Sequence, residues 1–299
     1  MPHDHTHQIN DYNRAFAIGL VLNLIFVAIE FSYGIAAESL ALIADAGHNL
    51  SDVFSLLLAW AAVLLASRDA TEKRTYGFRK GTIIASLASA MLLLVALGGI
   101  AWEAIGRFSQ PQAVKGMTVI VVASVGVVIN TITALLFLSG QKRDLNIRGA
   151  FLHMAADAGI SLGVVVSGIM IIATDWRLID PIVSLLIVAV ILCGTWPLLR
   201  DSLNLAIDAV PQHIDMPEIK SYLAGLEHVS RIHDLHVWPL STTDVALTVH
   251  LTVDKDVLPK DFLSNIQQQL HDRFEIEHST IQVERHDDVP CFINNSNCS

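Results

Sequence analysis

The chain has 299 residues, of which 53% are hydrophobic and 16% charged, with a formal net charge of −10; soluble domains run near ~45–50% and ~25%. That balance argues against a disordered chain, a coiled coil and an ordinary soluble enzyme, and an acidic chain without clustered Lys/Arg argues against nucleic acid as a partner. Three cysteines, Cys193, Cys291 and Cys298, are too few and too scattered for a disulfide framework.

The imbalance is also local. Residues 1–208 carry 13 Lys/Arg against 15 Asp/Glu and nearly all the long apolar runs, whereas 209–299 carry 6 against 14. Residues 1–14 read as a tail in which His3, His5 and His7 either collect metal or are simply solvated. Crossing ~30 Å of hydrocarbon takes ~20 apolar residues in a helix. Six stretches reach that length, 15–35, 39–66, 81–105, 116–138, 149–173 and 179–199. The first is too long for a cleaved signal peptide and lacks a basic flank.

Basic residues in the short loops set the orientation. Arg14, Arg68, Lys73, Arg74, Arg79, Lys80, Lys142, Arg143, Arg148 and Arg200 fall on one side, and only Arg107, Lys115 and Arg177 on the other. Both termini are therefore expected in the cytoplasm. Without a long loop or targeting segment, a bacterial inner membrane is the expected location.

Residues 15–208 form the expected membrane domain, 209–290 a cytoplasmic regulatory and dimerisation domain, and 291–299 a flexible tail. The soluble part reads as a helix over 216–226, strands over 229–238 and 244–253, a helix over 260–274 and a strand over 280–284. The expected fold is thus a six-helix bundle followed by an α+β domain of αββαβ order, ferredoxin-like or metallochaperone-like, with helices on one face of a small sheet.

Ionisable groups inside apolar segments are costly and persist where they face partners. The second segment holds His48 and Asp52, the fifth His153 and Asp157. Both read His-x-x-x-Asp, and residues i and i+4 share a helix face. Two such pairs on facing helices offer two imidazoles and two carboxylates, a tetrahedral N/O set suited to Zn2+. The plainer reading makes each pair a hydrogen-bonded lock between helices. Two carboxylates and two neutral imidazoles cancel the charge of a divalent ion. An emptied site would leave two buried negative charges, which protons would relieve, so exchange of metal for protons follows from the donor set. Asp45 and Asn49 lie beside His48, where Asp45 either orients the imidazole or serves as a cap or hydrogen-bond partner. Glu30, Glu38 and Glu103 are expected at the interface or paired with loop cations, and Asn23 and Asn130 as interhelical hydrogen-bond donors.

The motifs SLALIADAGHNLSD (39–52), RTYGFR (74–79), Asp180-Pro181 and HDLHVW (233–238) resemble the cation diffusion facilitator family, in its zinc-exporting branch. The resemblance spans essentially the whole chain. It implies a homodimer in the lipid bilayer whose subunits alternate between inward- and outward-facing states, with protons as counter-substrate, no organic cofactor and no enzymatic activity. The family's transport ligands fall on His48, Asp52, His153 and Asp157. Its cytoplasmic metal sites fall on His233, His250 and Glu284, near the dimer interface. The loop 67–80 has no His and five basic residues, so no metal site is expected there; the His-rich loop of many eukaryotic relatives is also missing from 140–148. A metalloenzyme is disfavoured because His-Glu-x-x-His is absent and four ligands leave no place for water. A membrane-bound zinc sensor without vectorial transport is the alternative.

Overall fold

The computed structural model describes residues 24–138, 145–254 and 259–285. The chain divides into two compact units, residues 1–57 with 88–197, and residues 58–87 with 198–299.

The first unit is helical. It draws on α1 (Leu24–Ala37), α2 (Leu40–Ala66), α3 (Gly81–Ser109), α4 (Gly116–Phe137), α5 (Leu145–Thr174) and α6 (Ile179–Ala206). Four of these, α3 to α6, are long and apolar enough to cross a membrane. Their outward faces are apolar, with Val95, Trp102 and Val190 all well exposed, so burial of apolar surface from water is not what selects the inward face. The inward face is instead chosen by size. Its core is built from Ala37, Ala41, Ala44, Val119, Ala123 and Val164 with Leu97, Ile187 and Ile191, the small-residue packing expected where lipid is the solvent.

Two glycines show how close the helices come. A Cβ on Gly168 of α5 would lie 2.8 Å from Ile120 and 3.1 Å from the Gly116 carbonyl oxygen of α4. A Cβ on Gly126 would lie 2.7 Å from the Phe26 ring of α1 and 3.2 Å from Ser161 Oγ of α5. Gly126→Val is therefore expected to destabilise the unit by ~1–3 kcal/mol through overpacking, read as a lowered midpoint in thermal unfolding of the detergent-solubilised protein.

The second unit holds α7 (Met216–Ala224), β1 (Val229–Pro239), β2 (Val245–Val253), α8 (Phe262–Phe274) and β3 (Ile276–Arg285), the αββαβ order expected. Asp215 caps α7, accepting from the Glu218 amide at 3.1 Å, and Pro217 sits in the first turn. The sheet order is β1-β2-β3. β1 and β2 pair antiparallel across a short connection, and β2 and β3 pair parallel, as a crossover through α8 requires. Val245, Leu247, Val249 and Leu251 point to the face covered by Ile219 and Leu223 of α7 and by Ile266, Leu270 and Phe274 of α8. The period of two then sends His250 to the opposite face. β3 begins earlier than the 280–284 expected, because the polar residues Glu277 and His278 hide a strand whose first residue, Ile276, is buried.

Residues of the loop 67–80 belong to this second unit. Arg79 Nη1 pairs with Asp244 Oδ2 at 3.1 Å, Lys80 Nζ with Asp208 Oδ1 at 2.6 Å, and the Tyr76 and His278 rings stand edge to face at 5.4 Å.

Candidate metal sites

His48 and Asp52 come from one helix turn of α2, and His153 and Asp157 from one turn of α5. The structure brings all four together. Asp52 Oδ2 lies 3.6 Å from His48 Nε2 and 3.2 Å from His153 Nε2. Asp157 closes the ring, with Oδ1 at 3.4 Å from His48 Nε2 and Oδ2 at 3.7 Å from His153 Nε2. Nitrogen and oxygen thus alternate. A tetrahedral Zn2+ with bonds of ~2.0–2.2 Å has six donor–donor edges of ~3.3–3.6 Å, and the four N–O edges bracket that range. Only His48, Asp52 and Asp157 offer ligand atoms all within 4.8 Å of one another, so His153 would have to draw in to complete the shell. Asp52 Oδ2 and both Asp157 oxygens are buried and meet only the two imidazoles, at 3.2–3.7 Å.

The four differ in exposure: Asp157 is 1% exposed and His48 14%, whereas Asp52 is 29% and His153 43% exposed.

Asp45 is fully buried but turns away from the imidazole: it accepts from Ser161 Oγ at 2.8 Å and from Asn49 Nδ2 at 3.5 Å. It thereby ties α2 to α5 beside the ligands, the hydrogen-bonding alternative of the two readings of the sequence. Glu30 departs from its expected interfacial place. It is fully buried in the helical unit against Asp45 and Asn49. Asn130 is also buried, and among the described residues neither side-chain atom has a hydrogen-bond partner; Asn23 lies outside the described residues. Glu103 does pair with a cation, Arg107, at 3.3 Å.

Asp180, at the start of α6, holds the start of α2. Its carboxylate accepts from Ser39 Oγ at 2.6 Å and from the Leu40 and Ala41 amides at 2.9 and 3.4 Å. Arg107 of α3 lies 3.5 Å from the same group and donates to the Glu38 carbonyl oxygen at 2.5 Å. Glu38 itself takes a positive φ of 56° at the α1–α2 turn. Helix α2 therefore receives its N-terminal cap from a distant part of the chain.

A second cluster lies on the sheet face opposite the helices. His233 of β1 and His250 of β2 are register partners, with ring centroids 5.2 Å apart. Glu284 of β3 reaches both, Oε2 to His233 Nε2 at 3.1 Å and Oε1 to His250 Nδ1 at 2.8 Å. The three expected from the resemblance thus meet on three strands. Asp234 joins them, 3.5 Å from His250 Nε2 and 3.0 Å from His236 Nε2. Its place depends on a register shift between His233 and His236 and on its own φ of 51°; Asp tolerates that conformation, and the bulge re-aims its side chain. His3, His5, His7, His286, Cys291 and Cys298 lie outside the described residues.

Comparison with known proteins places these features in context. The model of the cation efflux transmembrane domain matches residues 16–205, and that of the cation efflux protein cytoplasmic domain matches 211–286. The metal cation efflux system protein CzcD of Cupriavidus metallidurans is 37% identical over 290 residues, covering 97% of this chain and 90% of that protein. The zinc transporter ZitB of Escherichia coli is 35% identical over 297 residues, covering 95% and 93%. The cadmium, cobalt and zinc/H(+)-K(+) antiporter of Bacillus subtilis is 33% identical over 289 residues, covering 95% and 92%.

Proposed function

Because the chain belongs to the cation diffusion facilitator (cation efflux) family, we propose that it is a secondary transporter that exports Zn2+ from the cytoplasm in exchange for protons. The observation that carries this reading is the alternating ring of His48, Asp52, His153 and Asp157, with edges of 3.2–3.7 Å between buried carboxylates and imidazoles.

The charge of that ring supplies the mechanism. Two carboxylates neutralise the divalent cargo while two imidazoles complete the shell, so a loaded site sits in low dielectric without net charge. When Zn2+ leaves, the imidazoles and carboxylates take protons in its place, and those protons must leave before another metal binds. Rocking of the helices opens the site to alternate sides. Four protein donors leave no coordination position for a reacting water, in keeping with transport and not catalysis.

In this reading six helices within residues 15–208 span the membrane, residues 209–290 form the cytoplasmic domain, and 1–14 and 291–299 are tails. The cytoplasmic orientation is supported by the ion pairs between the basic loop 67–80 and Asp208 and Asp244, since loop and tail domain must then share one side. A bacterial inner membrane and a homodimer complete the picture. His233, His250 and Glu284 would hold a regulatory Zn2+, with Asp234 positioning His250. That ion would draw two cytoplasmic domains together when cytoplasmic zinc is high.

The cytoplasmic cluster also favours a second reading, a zinc sensor that moves no metal. Proteoliposomes separate the two. Export predicts Zn2+ flux that discharges an imposed pH gradient; Zn2+ binding without flux under any gradient would leave only the sensor. His250→Ala removes one of three cytoplasmic donors. It is expected to weaken binding at that site by more than ~100-fold, the upper end of what outer-shell changes alone cost, and to leave flux at saturating Zn2+ in place. Isothermal titration beside the flux assay checks both.

A further inference from the structure

Glu30 of α1 and Asp45 of α2 are both fully buried, their carboxyl groups interact directly, and Asn49 touches both. Phe26, Gly126 and Ser161 pack tightly together at this place, and Ser161 Oγ donates to Asp45. The two carboxylates are treated unequally. Asp45 receives two donated hydrogen bonds, from Ser161 and Asn49. Glu30 meets only Asp45 and Asn49, and among the described residues no hydrogen bond of full geometry reaches either of its oxygens or Asn49 Oδ1.

Among the described residues, the other ionisable groups whose fields reach Asp45 are His48, on α2, and Asp157, on α5, and both belong to the candidate metal ring; no Lys or Arg is among them. The sequence of α4 has no ionisable side chain at all. Two adjacent buried carboxylates cannot both stay charged in such a place without compensation. Hydrogen bonds offset much of the charge of Asp45, so the deficit is one positive charge at Glu30.

We propose that Glu30, Asp45 and Asn49 form a second cation site in the helical unit, separate from the His48–Asp52–His153–Asp157 set, which holds a single positive charge as a proton or an alkali metal ion. The donors are all oxygen, which suits such hard cations. Too few of them are free for the six or more that a calcium ion takes, and a magnesium ion would bring waters for which a fully buried site has no room. Its use in export rests on the function proposed above. A divalent ion arriving at His48 repels a cation held at Glu30 and Asp45 through low dielectric, so loading one site favours release at the other.

Infrared difference spectroscopy on the full-length protein in lipid vesicles tests this, comparing wild type with Glu30→Gln at neutral pH in potassium, sodium and choline buffers. If the charge is a proton, wild type shows one buried protonated carboxyl per chain that Glu30→Gln lacks. If it is an alkali ion, replacing choline by potassium or sodium shifts a carboxylate band in wild type and not in the variant. Either signal must survive Asp157→Ala, because it does not arise at the transport ring. A Glu30 that is ionised and indifferent to alkali ions overturns the proposal, as does a spectrum unchanged by Glu30→Gln. Should Glu30→Gln not fold, Glu30→Asp keeps the carboxyl and must move the band; an unmoved band is equally fatal. Absence of Zn2+ flux in wild type would remove the export reading and leave the infrared result standing.

Discussion

Asp157→Ala is expected to abolish Zn2+ flux in proteoliposomes and to weaken Zn2+ binding at the proposed transport ring by well over ~100-fold, which is more than about 2.8 kcal/mol at ~1.4 kcal/mol per tenfold. Outer-shell changes at metal sites already cost ~10–100-fold, and this change removes a donor outright. Asp157 is the deepest of the four, 1% exposed, and faces both imidazoles. Its loss leaves one carboxylate against a divalent ion, so bound metal would carry a net positive charge in low dielectric. The same substitution takes a buried carboxylate from two imidazoles, so an effect on the fold has to be separated from an effect on the ring. Chromatographic behaviour and thermal midpoint close to wild type, with flux gone, would assign the loss to the ring. Flux at the wild-type rate in Asp157→Ala would remove this ring from the transport path and leave the family assignment untouched.

The meeting of His48, Asp52, His153 and Asp157 was legible because two independent constraints coincide in the sequence. An i,i+4 spacing fixes a shared helix face, and the cost of ionisable groups in an apolar segment demands a partner for each. The sheet was legible for a similar reason, since Val245, Leu247, Val249 and Leu251 alternate in the sequence, and burial follows that period over 247–251 though not at Ala246 and Thr252. Glu30 was misplaced because hydropathy locates a residue along a helix but not around it; only packing shows that it turns towards Asp45. Its proximity to the end of the apolar segment concealed it, although a lone acid with no basic residue within several positions was a usable signal. Asp234 was hidden by different physics. In a regular strand it would point away from its neighbour His233, and it joins the cluster through a bulge and a left-handed backbone, neither of which a period of two can anticipate.

The second large effect is expected at Asp180, which touches no metal ligand. Its carboxylate is fully buried and meets Ser39 Oγ, two amides at the start of α2 and the Arg107 guanidinium. Asp180→Ala would strand all of these at once. Breaking a buried ion pair by removing one partner costs ~3–5 kcal/mol, because the remaining charge stays buried and uncompensated, and loss of a cap adds ~1 kcal/mol. The consequence reaches the transport ring along α2. His48 lies about 13 Å beyond Ser39 at ~1.5 Å per residue, on the same continuous helix, so a frayed or shifted start moves His48 and Asp52 against His153 and Asp157 on α5. Asp180→Asn separates positioning from charge: its one carbonyl oxygen still accepts on one side, either from the Leu40 amide or from Ser39 and the Ala41 amide, but it leaves Arg107 without its carboxylate. The expected order in thermal stability is therefore wild type, then Asp180→Asn, then Asp180→Ala. In flux, Asp180→Asn should keep a measurable maximal rate with a raised half-saturation for Zn2+, because ring geometry is loosened while all four donors remain. Equal stability and unaltered half-saturation in both variants would show that the start of α2 is held by packing alone, with the Asp180 contacts contributing nothing to the placement of His48 and Asp52.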